Sequence, residues 1–227
     1  RRCQSLSEQS RSVVSGAKVK ICGITNEADL EAALTLGADA IGFNFYRRSS
    51  RYVAPERVAE MRKLLPDYVW AVGVFVNEPR QVIWQIIETS GIDTLQFHGE
   101  EQDELLFGWE GLRLIRALRL RASGLSKKEL EEKAANSDFI LFDKAKAGEF
   151  GGTGEEIEED ILASDPISSF LPRAFLAGGI TPENVRQKLE RYRPFGIDVA
   201  SGVESQPGKK DHARMRQLFT AVHEVSY

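Results

Sequence analysis

The chain has 227 residues, of which 42% are hydrophobic and 28% are charged, a balance that supplies a core and excludes disordered and fibrous proteins. Thirty Lys and Arg against 34 Asp and Glu leave a net charge of −4, so we expect neither nucleic acid nor a membrane as a partner. Two cysteines are too few for a disulfide framework, which favours a reducing compartment.

Residues 1–17 are rich in Ser and Arg and contain one acidic residue. We expect them to be a disordered or processed N-terminal tail, and residues 18–227 to form one catalytic domain. The expected compartment is the cytoplasm, or a plastid if the tail is a transit-peptide remnant.

Eight short apolar runs follow the tail. They are VKICG from Val19, AIGFNF from Ala40, WAVGVFV from Trp70, TLQFHG from Thr94, LRLIRAL from Leu112, FILFD from Phe139, AFLAGG from Ala174 and GIDVAS from Gly196. Such continuous apolarity is typical of strands covered on both faces, so the runs predict a parallel sheet.

Segments with apolar residues three and four apart separate the runs and predict helices. Their boundary signals are Thr25 or Asn26 before the first helix, Pro55 and Pro182 in opening turns, and Gly37 and Gly91 after the last helical residues. Eight β-α pairs predict an α/β protein with a single (β/α)8 TIM barrel, because an open sheet of eight parallel strands would need longer connections.

The connection after the sixth run, from Lys144 to Glu159, is much longer than the usual βα loop of about two to six residues. Long loops are often functional, and this one is expected on the catalytic face.

Polar residues that close the apolar runs are the candidate site residues, because TIM-barrel active sites lie at the C-terminal ends of the strands. These candidates are Cys22, Arg51, Gln96, His98, Asp143, Asp198 and Ser201. No second His or Cys stands at ligand spacing from His98, so no metal site is expected.

Glycines mark a phosphate site after the last two runs, where Gly178, Gly179 and Gly202 allow backbone N–H groups to approach an oxyanion. Gly152 and Thr153 of the long loop are expected to close over the same anion. The alternative is that these glycines only form tight turns.

Cys22 and Asp143 each have two interpretations. Cys22 is either a small core residue or a thiolate whose pKa is lowered by the nearby N-terminus of the first helix. Asp143 is either a functional carboxylate at the mouth or the ion-pair partner of Lys144 or Lys146.

The motifs VKICGIT, GADAIGF, SSRYV, VGVFVNE, LQFHGEE, GGTG, LAGGITPENV and GIDVASGVES with PGKKDH together resemble the phosphoribosylanthranilate isomerase family of tryptophan biosynthesis. The resemblance implies a TIM barrel that performs an Amadori rearrangement of a phosphosugar without metal or cofactor, as a monomer or homodimer. It implies Cys22 as general base, Asp143 as general acid and Arg51 as the ligand of the anthranilate carboxylate. Gln96, His98 and Asp198 are then substrate-binding residues, and Ser201 joins the phosphate site.

One segment departs from the family pattern, which commonly has Phe-Asp-Trp after GGTG where this chain has Ile157, Glu158 and Glu159. The departure leaves open a phosphate-binding barrel with lost or changed activity. Related phosphosugar barrels, such as indole-3-glycerol phosphate synthase and the histidine-pathway isomerase, are less compatible because they use lysine and glutamate, or paired aspartates, where this chain has Cys22.

Overall fold

A computed structural model describes residues 16–120, 125–144, 157 and 159–225. Eight parallel strands form a closed barrel in chain order, and β1 pairs with both β2 and β8. The strands are β1 Lys18–Cys22, β2 Ala40–Asn44, β3 Trp70–Phe75, β4 Thr94–Phe97, β5 Arg113–Leu120, β6 Phe139–Lys144, β7 Ala174–Leu176 and β8 Gly196–Val199. Each predicted run overlaps one strand, and the predicted (β/α)8 barrel is confirmed.

Helices connect the strands on the outside of the barrel. They are α1 Glu27–Leu36, α2 Pro55–Arg62, α3 Arg80–Ser90, α4 Lys127–Ala134, α5 Glu159–Ala163, α6 Ile167–Phe170, α7 Val185–Tyr192 and α8 His212–His223. None of the helices within the described ranges is long and apolar enough to cross a membrane.

Most of the predicted helix boundaries agree with the structure. Asn26 caps α1 by accepting a hydrogen bond from the Asp29 N–H, and Pro55 is the first residue of α2. Gly37 and Gly91 end α1 and α3 with φ angles of 96° and 69°, which glycine adopts without strain. Pro182 precedes the assigned start of α7 by three residues.

The expectation of eight regular β-α pairs is wrong in two places. After β4 there is only one 3-10 turn, Asp103–Leu106, and it is followed by Gly108 and Gly111, which both have positive φ. After β6 the helix is divided into the short α5 and α6, with Pro166 immediately before α6.

A two-stranded hairpin follows β8 and was not predicted. It consists of β9 Glu204–Gln206 and β10 Lys209–Lys210. Its strands are too short and polar to give an alternating apolar pattern.

The hydrophobic core has two parts. The larger part lies between the barrel and its helices. The smaller fills the lower barrel interior around Val72, Leu141 and Phe175. Aromatic rings cover this inner cluster at the N-terminal ends of the strands, where Phe139 and Phe195 have centroids 4.5 Å apart. The lower barrel is therefore packed, and the C-terminal end remains for a binding site.

The structure covers only part of the predicted tail and long loop. Residues 1–15, 145–156 and 158 lie outside the described residues, as do the predicted phosphate ligands Gly152 and Thr153. Of the segment that departs from the family pattern, Ile157 is buried in the outer core and Glu159 begins α5. Glu159 also forms an ion pair with Arg191.

Candidate active site

One cavity at the C-terminal ends of the strands contains most of the predicted site residues. It opens to solvent, and a concave site at the mouth of a barrel suits a small organic ligand. Its wall includes Cys22, Arg51, Gln96, His98, Asp143, Gly178, Gly179, Asp198, Ser201 and Gly202. Residues from the first and the last strand therefore share one wall.

Asp143 lies near the end of β6 with its side chain 7% exposed. Its Oδ2 is 3.3 Å from His98 Nε2, and its Oδ1 accepts a hydrogen bond of 2.9 Å from the backbone N–H of Lys144. Lys146, the other lysine considered as an ion-pair partner, lies outside the described residues. A carboxyl group held this way at a cavity wall has the geometry of a proton donor or acceptor.

Gln96 determines which ring nitrogen of His98 carries the proton. Gln96 Nε2 lies 3.0 Å from His98 Nδ1. Because an amide nitrogen only donates, Nδ1 accepts, and in the neutral ring Nε2 carries the proton that faces Asp143. Gln96 Oε1 is buried with no hydrogen-bond partner in the described part of the chain.

Cys22 ends β1 beside two oppositely charged groups. Lys20, two residues earlier on the same strand face, is fully buried, and its Nζ lies 2.7 Å from Asp198 Oδ1. A Cβ added to Gly42 would stand 2.8 Å from the Cys22 sulfur and 2.9 Å from Lys20 Nζ. Because Gly42 has no side chain, the Cys22 thiol and the Lys20 ammonium can both occupy this space.

The predicted lowering of the Cys22 pKa is wrong. Burial raises the pKa of the thiol and Asp198 adds to the rise, whereas Lys20 and Lys210 oppose it. The sequence showed the strand end and the following helix, but it did not show how deeply the sulfur is buried or that a carboxylate from β8 lies nearby.

Arg51 lies in the cavity wall and is held by the hairpin. Its Nε and Nη2 donate to the two carboxylate oxygens of Glu204 at 2.9 and 2.7 Å. These contacts use two of the five N–H donors of a guanidinium. Burial raises the pKa of Glu204, but Arg51 and Lys210 outweigh this effect and the net direction is down, so Glu204 stays ionised.

Lys210 connects the hairpin to the end of β1. Its Nζ donates to the carbonyl oxygens of Cys22 at 2.6 Å and Ala200 at 3.1 Å, and it lies 3.0 Å from Glu204 Oε1. Burial lowers the pKa of Lys210, and the charge of Glu204 partly offsets that effect. The buried ammonium therefore fixes the backbone of Cys22 and the carboxylate that holds Arg51.

Two glycine turns line the cavity between the ends of β6 and β1. Gly178 and Gly179 follow β7 with φ angles of 77° and 61°. Gly202 lies in the turn after β8, so close to the β7 loop that an added Cβ would stand 1.8 Å from the carbonyl oxygen of Ile180. These turns line the cavity next to Ser201, and glycine-rich turns are where proteins commonly bring backbone N–H groups to an oxyanion.

Sequence reasoning missed several residues that line the cavity or contact the residues that line it. They are Lys20, Asn44, Ser49, Glu204 and Lys210, of which Asn44 and Ser49 line the cavity directly. A signal existed for Lys20, because a lysine inside an apolar strand needs a buried partner, and Asp198 lies inside another apolar strand. Glu204 and Lys210 gave no such signal, since both lie in a polar segment.

The fold and this wall define a class: a (β/α)8 barrel with ionisable groups and glycine turns at the mouth of the barrel. Residues 19–221 match the model of the family N-(5'-phosphoribosyl)anthranilate (PRA) isomerase. An N-(5'-phosphoribosyl)anthranilate isomerase of Pelobacter propionicus is 41% identical over 92% of this chain and 96% of its own length. The chain belongs to this family.

Solved structures agree with the family assignment. The phosphoribosyl anthranilate isomerase of Thermus thermophilus has a TM-score of 0.81 and 33% identity over 91% of this chain and 98% of its own. A phosphoribosyl anthranilate isomerase in complex with reduced 1-(o-carboxyphenylamino)-1-deoxyribulose 5-phosphate has a TM-score of 0.76 and 35% identity, covering 92% of this chain and all of its own.

Proposed function

We propose that the cavity isomerises N-(5'-phosphoribosyl)anthranilate to 1-(2-carboxyphenylamino)-1-deoxyribulose 5-phosphate, a step of tryptophan biosynthesis. One observation carries the proposal: Cys22 of β1 and Asp143 of β6 line the same cavity, with two glycine turns between these strands. An acid, a base and an anion site are what the rearrangement of a phosphorylated aminosugar requires.

In this mechanism, Asp143 is the acid and Cys22 is the base. Asp143 gives a proton to the furanose ring oxygen, and the C1′–O bond breaks to form an iminium ion. The cation acidifies the proton on C2′, which the Cys22 thiolate removes. The resulting enolamine tautomerises to the ketone, so the atoms of substrate and product balance. The contact of His98 with Oδ2 orients the carboxyl group of Asp143.

The remaining wall positions the two ends of the substrate. Arg51 binds the anthranilate carboxylate with donors that Glu204 does not use, a task suited to a planar guanidinium. The proposed phosphate ligands are Gly178, Gly179, Ser201 and Gly202, with Gly152 and Thr153 from the long loop. Gln96, His98 and Asp198 contact the sugar.

Fluorescence decay of freshly prepared phosphoribosylanthranilate tests the reaction. We expect Cys22→Ala and Asp143→Asn each to lower kcat by about 10²–10⁴-fold, while a reduced product analogue still binds. Cys3→Ala, which removes the other cysteine of the chain, is the matched control and keeps full activity. No acceleration by the unmodified chain would instead favour a phosphate-binding barrel with lost or changed activity.

Two further proposals concern the assembly and the compartment. We infer a monomer or homodimer, which sedimentation of the full chain distinguishes. We also infer a cytoplasmic protein, with a plastid as the alternative, which imaging of a fluorescently tagged chain in its host decides.

A further inference from the structure

Lys20 is a fully buried charge that the proposed reaction steps do not use. It lies two residues before Cys22 on β1, so both side chains point to the interior of the barrel. Its partner Asp198 stands opposite in the β1–β8 register, with the ammonium 2.7 Å from the carboxylate. Apolar residues could fill such a position at equal or better stability. The ion pair therefore calls for an explanation other than packing.

The position of Gly42 shows that the Lys20 ammonium lies close to the Cys22 sulfur. A Cβ at Gly42 would meet the Cys22 sulfur and the Lys20 ammonium at nearly equal distances, 2.8 and 2.9 Å. Both groups therefore border one small space within the barrel wall. Because this space is shielded from water, an ammonium here stabilises a neighbouring thiolate more strongly than it would at the surface.

We propose that Lys20 is a positioning residue for Cys22: its ammonium, anchored by Asp198, stabilises the thiolate that removes the C2′ proton against the burial that disfavours it. The reaction named in this inference rests on the proposed function, but its physical content is the charge state of one sulfur. Lys20 touches no substrate atom in this role and acts only through Cys22.

Four charged groups face the sulfur from the elements packed around it. Lys20 of β1 and Lys210 of β10 favour the thiolate, Asp198 of β8 disfavours it, and Arg51 after β2 also interacts with it. Lys210 contacts the carbonyl oxygen of Cys22 and the carboxylate of Glu204. Lys20 is the first of the groups that lower the pKa of this thiol against its burial.

The rate of alkylation by iodoacetamide, measured against pH, reports the thiolate directly and needs no substrate. We would measure it in a Cys3→Ser background, where Cys22 is the remaining thiol. Lys20→Met should move the midpoint of the profile up by at least about one pH unit, which is a tenfold loss of thiolate on the acid side. Asp198→Asn should move it down, because the thiolate then becomes the counter-ion of Lys20.

Turnover gives the second readout. The acid limb of kcat/KM should move with the alkylation midpoint in each variant, because that limb reports the essential base of the free enzyme. Lys20→Met leaves Asp198 buried without its partner, so the double variant Lys20→Met/Asp198→Asn provides a version without an unpaired charge. Its midpoint should lie above that of Asp198→Asn, from which it differs only at Lys20.

The inference would be overturned by an equal alkylation midpoint in Lys20→Met and the unmodified chain, or in the double variant and Asp198→Asn, even if activity fell. Only a structural role for Lys20 would then remain. An unmodified chain without isomerase activity would overturn the proposed function instead. The alkylation profiles would still show whether Lys20 stabilises the thiolate of Cys22.

Discussion

Gly202→Ala tests whether the two glycine turns must stay in close contact. The added Cβ would lie 1.8 Å from the carbonyl oxygen of Ile180 and 2.9 Å from its carbonyl carbon. Both are main-chain atoms, so no side-chain rotation relieves the clash. One of the turns must retreat until the contact exceeds 3.4 Å, where ordinary van der Waals contact begins.

This displacement determines how much stability the fold loses. Overpacking costs about 1–3 kcal/mol, and we expect about 3 kcal/mol here because the backbone itself must move. For a chain of this size, such a loss lowers Tm by about 6–12 °C. A displacement of about 1 Å in a positioning element weakens activity by about 10²-fold, and we expect affinity for the reduced product analogue to fall at least tenfold.

Thermal unfolding followed by circular dichroism and calorimetric titration with the analogue measure the two effects. Gly37→Ala is the control, because its φ of 96° makes a side chain unfavourable while no atom lies within 4 Å of the added Cβ. It should lose about 1 kcal/mol of stability and bind the analogue normally. If Gly202→Ala kept the Tm and the affinity of the unmodified chain, the packing argument would be refuted.

Two further predictions concern charged groups around the cavity. Arg51→Lys should raise KM at least tenfold with a smaller change in kcat, because an ammonium cannot reproduce the two-point contact with Glu204; steady-state kinetics measure it. Burial would raise the pKa of Asp29, but hydrogen bonds from the Lys210 N–H and from His212 help to lower it below its ordinary 3.8. Its ionised form therefore stabilises the fold above that value, and the stabilisation is lost as pH falls through the lowered pKa. Asp29→Asn should flatten the acid dependence of the free energy of unfolding, measured with urea from pH 7 to 3, and an unchanged slope would contradict this account.

The barrel could be predicted from sequence because its signal is repeated along the chain. Strands buried on both faces must be apolar throughout, and the runs from Ala40 and Phe139 have this property without alternation. Helix ends were predictable where one residue type satisfies a geometric need, as Gly37 does with its positive φ. The single 3-10 turn after β4 could not be predicted from the alternation of strands and helices, because that alternation does not specify the type or length of the element between two strands.

The cavity wall could be predicted where polar residues close apolar strands, as Cys22 and Asp143 do. The charged partners of those residues could not, since ion pairs join distant parts of the chain. Glu204 lies 153 residues from the Arg51 it holds. The direction of the Cys22 pKa failed for the same reason: burial and the charge of Asp198 depend on how β8 closes against β1.

The contact of Lys210 with Cys22 joins groups 188 residues apart. During synthesis on a ribosome, β1 emerges well before Lys210, whose ammonium secures the end of that strand. A nascent polypeptide halted before Lys210 lacks the ammonium that contacts the Cys22 carbonyl oxygen and Glu204, the partner of Arg51. The wall is thus complete only after β10 has been made, and catalytic output would serve as a readout for the docking of the β9–β10 hairpin.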